Sequence, residues 1–415
     1  MLTRAKYNCV ASSIAAIVVL LMAIGAVFVF SASANIGQDI DFQKFYEYPG
    51  LRQILFFPIA CLILYTASAF DYRKLGASNG WLKSPALYLL ILSIALLILV
   101  LVPRFGTEIN YARRWLRIPA GPVKISFQPS ELAKWAIILF LAAFCDKYSA
   151  GIKLFRKRFI PICCIIGVVV GLIVIEDVGT AALISLLAFL MLIIGGARWW
   201  HVLAPLPLAA LAFVAVLVRS PARLERIWAW LWPDKYPALS YQARQSLTAL
   251  GSGGSFGKGL GAGICKYGHL PEDTTDFIFA IIGEELGFVG NAAVILLFIV
   301  FMWLGILVVV RCKDRFGQLL AGGIVLAIGI QAALNIGVVT VVLPTKGIPL
   351  PFVSAGGTSM LLSSAAVGVL LSIARQSAGK PAESKLQHKR AAAIETDDRK
   401  YRPARGVPGR VSIPF

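Results

Sequence analysis

The chain of 415 residues is short of charge: Asp, Glu, Lys and Arg make up 15% of it, against 58% hydrophobic residues. A soluble globular domain carries roughly 25% charged residues, so a water-exposed fold is excluded. The apolar surplus also excludes a disordered chain, which would be poor in such residues. Acidic residues are the scarcer kind, 21 against 40 Lys and Arg, leaving a formal net charge of +19. Histidine is nearly absent, with His201, His269 and His388 scattered, and no Cys/His spacing suits zinc. Seven cysteines are an odd number, so a complete disulfide framework is excluded. Cys265 alone falls in a segment read as extracytoplasmic. The glycine-rich stretch Gly251 to Gly259 lacks the four-residue spacing and the Ser/Thr after Lys258 that a phosphate loop needs, so it is read as a flexible stretch near a lipid-linked ligand.

What is present is a series of apolar runs long enough to cross a bilayer, at about 20 residues per helix. They lie near 11–33, 53–70, 85–103, 129–145, 159–175, 179–197, 200–218, 277–310, 317–343 and 350–374. This predicts an all-α polytopic membrane protein of about ten transmembrane helices over residues 1–375. A long extracytoplasmic loop, 219–275, separates the seventh helix from the eighth, and a basic tail, 376–415, is expected to be disordered beside anionic lipid. The first run is longer than a signal-peptide core and is expected to remain as a helix. An even number of crossings puts both termini on one side. With the termini inside, the inner segments hold 24 basic and seven acidic residues and the outer segments 15 and 11, so both termini are expected in the cytoplasm. The basic surplus is therefore read as orientation, with no nucleic-acid partner.

Four charges fall inside the runs. Glu131 and Lys134, three apart, share a helix face, and Glu284 and Glu285 lie within the eighth run. Each would cost several kcal/mol against hydrocarbon, so all four are expected to face the interior and pair, around a polar cavity. The eighth run spans about 51 Å as a continuous helix against a core of about 30 Å, so it projects or breaks near Gly283, Gly287 or Gly290. The segment Leu343 to Ser359, with three prolines and three glycines, cannot be regular helix, and irregular backbone at membrane depth is tolerated only beside protein or water. The cluster Arg113-Arg114-Trp115-Leu116-Arg117 opposes the charge rule on the outer side. It is read either as interfacial anchoring or as a site for an anionic ligand. Trp228, Trp230 and Trp232 are read as interfacial anchors.

The stretch LPEDTTDFIFAIIGEELG, Leu270 to Gly287, resembles the SEDS family of shape, elongation, division and sporulation proteins. Ala112-Arg113-Arg114-Trp115, Gln128-Pro129-Ser130-Glu131-Leu132-Ala133-Lys134, Tyr241-Gln242-Ala243-Arg244-Gln245-Ser246 and the Pro/Gly segment match in the family's order. The resemblance implies a glycosyltransferase of the bacterial plasma membrane that polymerises the disaccharide of lipid II into peptidoglycan strands at the outer face. It implies a class B penicillin-binding transpeptidase as partner and, for division members, divisome proteins and a septal location. Lys346 in Leu343-Pro344-Thr345-Lys346-Gly347 resembles division members, whereas Pro349-Leu350-Pro351 is nearer elongation and sporulation members; the division branch is preferred. Where the family usually reads Glu-Pro-Asp the chain has Ile175-Glu176-Asp177, and Val341 stands in place of a Gly.

The essential acid of the Thr-Asp-Phe motif matches Asp276. Diphosphate is already a good leaving group, so the chemistry needs cations on the departing oxygens and a base for the attacking hydroxyl. Asp276 is the expected base, with Glu272 and Asp273 as alternatives, and one displacement inverts the anomeric centre. Its plain structural role would be a helix N-terminal charge complementing the dipole. Arg113, Arg114, Lys134 and Lys346 are candidate cations, and Glu131, Gln245, Ser246 and Ser354 further substrate contacts. The resemblance leaves open a divalent cation, Mg or Mn, at the diphosphate. Rival readings are a lipid II flippase, which broken helices and buried charges also suit, an elongation enzyme, and a scaffold that recruits a transpeptidase.

Overall fold

The computed structural model describes residues 2–33, 48–77, 80–109, 112–120, 123–148 and 155–377; the expected tail from residue 378 onward lies outside them. The helices are α1 (Leu2–Ser33), α2 (Pro49–Ala69), α3 (Pro85–Leu101), α4 (Pro129–Lys147), α5 (Ile160–Val174), α6 (Val178–Ile194), a short α7 (Trp199–Leu203) running on into α8 (Leu206–Val218), α9 (Pro221–Leu231), α10 (Tyr241–Ser252), α11 (Ile278–Arg311), α12 (Arg315–Val339) and α13 (Gly357–Ser377). Seven spans among the described residues are long and apolar enough to cross a membrane, and α3 and α6 are shorter apolar helices. With α4 they account for the expected crossings of a polytopic helical membrane protein.

Burial sorts the helices. α4 buries nearly every residue from Pro129 to Cys145, packed between α3, α6, α12 and α13; a helix apolar all round belongs at the centre of a bundle. α8 buries none of its residues, as suits a helix facing lipid. α13 packs chiefly on α2, and α11 on α12 and α1.

Two features refine the expected architecture. The basic outer segment before α4 is a three-stranded antiparallel sheet, β1 (Gly106–Ile109), β2 (Ala112–Ala120) and β3 (Val123–Phe127), in that spatial order. The long loop before α11 carries α9 and α10, with α10 laid on α11. Trp228 stacks on Trp232, whereas Trp230 turns inward and donates from Nε1 to the Val341 carbonyl at 2.9 Å. Only two of the three indoles therefore remain free as surface anchors.

α11 breaks where its length required. Gly287 takes φ 71° and ψ −163°, a region essentially reserved for glycine. The break frees backbone groups that lipid could not satisfy, and the glycine-rich loop satisfies them. Lys258 and Gly259 donate N–H to the Glu284 and Glu285 carbonyls at 3.0 Å each, and Phe288 and Val289 donate to Gly254 and Ser255 at 2.9 and 3.2 Å. A Cβ on Gly257 would collide with the Glu285 carbonyl, so glycine serves close backbone approach. The loop is a fitted plug in the kink, which corrects its reading as a flexible strip beside the ligand.

Candidate functional site

The β1–β2 register shifts between Thr107 and Glu108, which leaves Arg114 as an extra residue of β2 between Trp115 and Arg113 with no cross-strand partner. Such a bulge re-aims its side chain, here toward the segment before α6. Its Nε donates to the Glu176 carbonyl at 3.0 Å, and Nη1 lies 3.8 Å from Asp177 Oδ2. Arg113 pairs with its cross-strand neighbour Glu108 at 3.4 Å. Only its backbone N–H turns inward, donating to Glu176 Oε2 at 2.8 Å. Asp177 caps α6, accepting from the Thr180 N–H at 3.0 Å and hydroxyl at 2.8 Å, which fixes the carboxylate that holds Arg114.

Asp276 ends the turn that leads into α11. Two buried side chains sew this turn to the Pro/Gly segment. Asn335 of α12 donates from Nδ2 to the Asp276 and Ile348 carbonyls, both at 2.8 Å. The Ser354 hydroxyl donates to the Thr275 carbonyl at 2.6 Å and accepts the Leu350 N–H at 2.7 Å, and the Ala355 N–H reaches the Thr274 carbonyl at 2.9 Å. Gly347 thereby lies against the carboxyl: a Cβ there would sit 3.1 Å from Asp276 Oδ2 and 3.8 Å from Arg114 Nη1. Asp276, Arg114 and the Lys346-Gly347 pair thus share one spot at the sheet end of the bundle.

The electrostatics follow from that placement. Burial pushes the Asp276 carboxyl up to about 7; Glu272 and Asp177 push the same way and Arg114 opposes. Burial likewise raises Asp273 to about 6. Lys346 is lowered by burial, with Asp177 opposing. A carboxyl poised near neutrality beside the Arg114 guanidinium can take a proton from a hydroxyl while positive charge faces an anionic leaving group.

A profile of the family described as Cell cycle protein, covering FtsW, RodA and SpoVE, matches residues 11–379. The chain belongs to the FtsW/RodA/SpoVE family. Stage V sporulation protein E of Bacillus subtilis (strain 168) is 38% identical over 366 residues, covering 87% of this chain and 96% of that protein. The "Probable peptidoglycan glycosyltransferase FtsW" of Trichlorobacter lovleyi is 37% identical over 363 residues, covering 86% and 91%. A chain in the structure "Structural coordination of polymerization and crosslinking by a peptidoglycan synthase complex" superposes with a TM-score of 0.69 at 26% identity, over 88% of this chain and 98% of that one. The Rod shape determining protein RodA of Thermus thermophilus superposes with a TM-score of 0.61 at 25% identity, over 88% and 96%.

Against this family background, the expected site residues separate into two groups. Asp276 and Arg114 converge on Gly347, and the ammonium of the neighbouring Lys346 lies 5.9 Å from the Phe213 ring centroid on α8. Arg113 does not join them, because its side chain is paired with Glu108 across the sheet. Glu131 and Lys134 are 4% and 1% exposed, and their polar atoms are held by protein. Lys134 Nζ donates to Glu131 at 2.9 Å and to Gln331 Oε1 at 2.7 Å, Ser359 donates to Glu131 at 2.9 Å, and Gln331 donates to the Pro349 carbonyl at 2.9 Å. Ser246 is buried and donates to the Val339 carbonyl at 2.7 Å. These residues, with Ser354, spend their polar atoms inside the protein around the segment that carries Lys346. Gln245 stays half-buried on α10.

Glu284 and Glu285 are fully buried, as expected. Their partners come from the long loop: Lys258 at 2.7 Å for Glu284, and Lys266 at 2.8 Å for Glu285, which also accepts from Ser31 at 2.8 Å. Sequence reasoning passed over Glu176, Asn335, Gly347, Lys258 and Lys266 as site or support residues. The departure at Ile175-Glu176 was a usable signal, since the Glu176 carboxylate and carbonyl both clamp β2. Asn335 carried none, because an Asn inside an apolar helix announces only that it needs partners. Among the described residues, no group of three His, Cys, Asp or Glu is placed to hold a metal.

Proposed function

We propose that this chain is a peptidoglycan glycosyltransferase that polymerises lipid II into glycan strands at the outer face of the bacterial plasma membrane. Asp276 takes the proton of the acceptor hydroxyl as it attacks the anomeric carbon, and Arg114 and Lys346 hold the departing polyprenyl diphosphate. One in-line displacement with one base inverts the configuration at that carbon. The observation that carries the reading is the convergence of Asp276, Arg114 and Gly347, in a chain whose curated relatives include enzymes named peptidoglycan glycosyltransferase FtsW. Purified protein given labelled lipid II should yield polymer, and Asp276→Asn should yield none. Polymer from the variant at the wild-type rate would overturn the assignment.

The partner is a class B penicillin-binding transpeptidase, a reading supported by the fold shared with a chain of a polymerising and crosslinking synthase complex. The cell-division role, with divisome proteins and the septum, draws on the relatives named FtsW. A fluorescent fusion gathering at midcell, with filamentous cells on depletion, is the expected outcome; rounded cells would mark an elongation role. The flippase reading loses its motive, because the buried carboxylates are engaged by Lys134, Lys258 and Lys266.

A further inference from the structure

At the end of the bundle away from Asp276, a cavity of about 260 Å³ opens where α4 ends and α5 begins. α4 has 19 residues, about 28 Å at 1.5 Å per residue, so the cavity lies across the apolar core from the sheet end. Its wall is apolar, from Leu87, Phe140, Phe144 and Pro161, and its rim is Lys157 and Arg158. The rim is built: Trp81 Nε1 donates to the Tyr148 hydroxyl at 2.7 Å, and the Arg158 guanidinium lies 3.7 Å over the Tyr148 ring. Lys147 sits 5.4 Å over Trp81. None of Lys147, Arg156, Lys157 and Arg158 has a carboxylate within ion-pair distance among the described residues.

We propose that this cavity binds the phosphate of an anionic phospholipid in the leaflet on that side, with Lys157 and Arg158 on the phosphate and the first methylenes against Leu87, Phe140 and Pro161. A soluble anion would have no use for the apolar wall. A zwitterionic lipid would bring its own cation against a rim of uncompensated positive charge. Basic pockets between helices at a membrane surface are suited to anionic headgroups.

The full-length protein in detergent would be titrated with phosphatidylglycerol, phosphatidylcholine or glycerol phosphate while its melting temperature is followed. Phosphatidylglycerol should raise it saturably, and the other two should not. Lys157→Gln/Arg158→Gln should weaken the apparent affinity about thirtyfold, each basic residue near an anionic surface contributing roughly 1 kcal/mol. Lys74→Gln, at another exposed basic turn, should leave it unchanged. Equal affinity in the double variant, an equal loss in Lys74→Gln, or an equal response to glycerol phosphate would each overturn the site. Should the double variant fail to fold, Lys157→Gln alone alters an exposed side chain and should still weaken binding about fivefold. Asp276→Asn protein should bind the lipid as wild type does, so this result stands or falls apart from the polymerase assignment.

Discussion

Asp276 carries a conflict within one side chain, because the burial that keeps its proton available near neutrality also penalises its charge. Polymerisation should therefore rise with pH as the carboxyl ionises around 7, and a rate profile flat between pH 5.5 and 8.5 would argue against a base there. Stability runs the other way. The folded value is raised above the ordinary 3.8, so the fold is unpenalised below about 4 and loses stability as pH rises through about 7. Asp276→Asn should melt with the wild type at pH 4 and above it at pH 8, in the same preparation that no longer makes polymer. Val341 is a second strained residue: a β-branched side chain at φ 60°, where the resemblance expects glycine. That conformation costs about 1–2 kcal/mol, and Trp230 holds its carbonyl in place. Val341→Gly should stabilise the protein by about 1 kcal/mol, less the entropy that glycine returns to the unfolded chain, and a thermal melt reads the sign. Asp276 was legible in the sequence through its motif. Arg114 could not be told from Arg113 until the register shift of β2 paired Arg113 with Glu108 and left Arg114 to reach Glu176 and Asp177.

The glycine-rich loop and the kinked α11 stabilise each other as elements. Lys258 reaches the fully buried Glu284, which also accepts the Ile264 and Cys265 N–H groups at 2.9 and 3.1 Å. Removing the cation leaves a buried carboxylate with only those two donors, a loss of about 3 kcal/mol by the usual cost of breaking a buried pair. Lys258→Ala should lower the melting temperature and expose the loop to protease. Lys258→Ala/Glu284→Gln should recover much of the loss, since no buried charge remains; a double variant as unstable as the single one would mean that the ion pair is not what holds the loop. The break at Gly287 was readable from arithmetic, because 34 helical residues exceed the bilayer. The plug was not, because its glycines look like flexibility until the facing carbonyls are seen. The small sheet was missed for a related reason: Arg113 to Arg117 drew attention as charge rather than as a strand.

At the scale of the molecule, charge and chemistry bear on the same question of sidedness. The apolar runs fixed the crossings well, because hydrocarbon thickness sets helix length with little latitude. Orientation rests on an asymmetry, 24 basic and seven acidic residues against 15 and 11, and the proposed chemistry requires the same answer, since Asp276 must face the side where glycan strands grow. The connecting segment at Asp234, between α9 and α10, lies on the Asp276 side of α8 and α11, while the segment at Lys313, between α11 and α12, lies on the other. Alkaline phosphatase, which folds only outside the cytoplasm, should be active when inserted after Asp234 and inactive after Lys313. Green fluorescent protein should show the reverse pattern. The opposite result at both positions would place Arg114, Lys346 and Asp276 in the cytoplasm, away from the growing wall. It would remove the polymerase reading even if the geometry of the site stood unchanged, because a base and two cations on the wrong side of the membrane have no acceptor strand to extend.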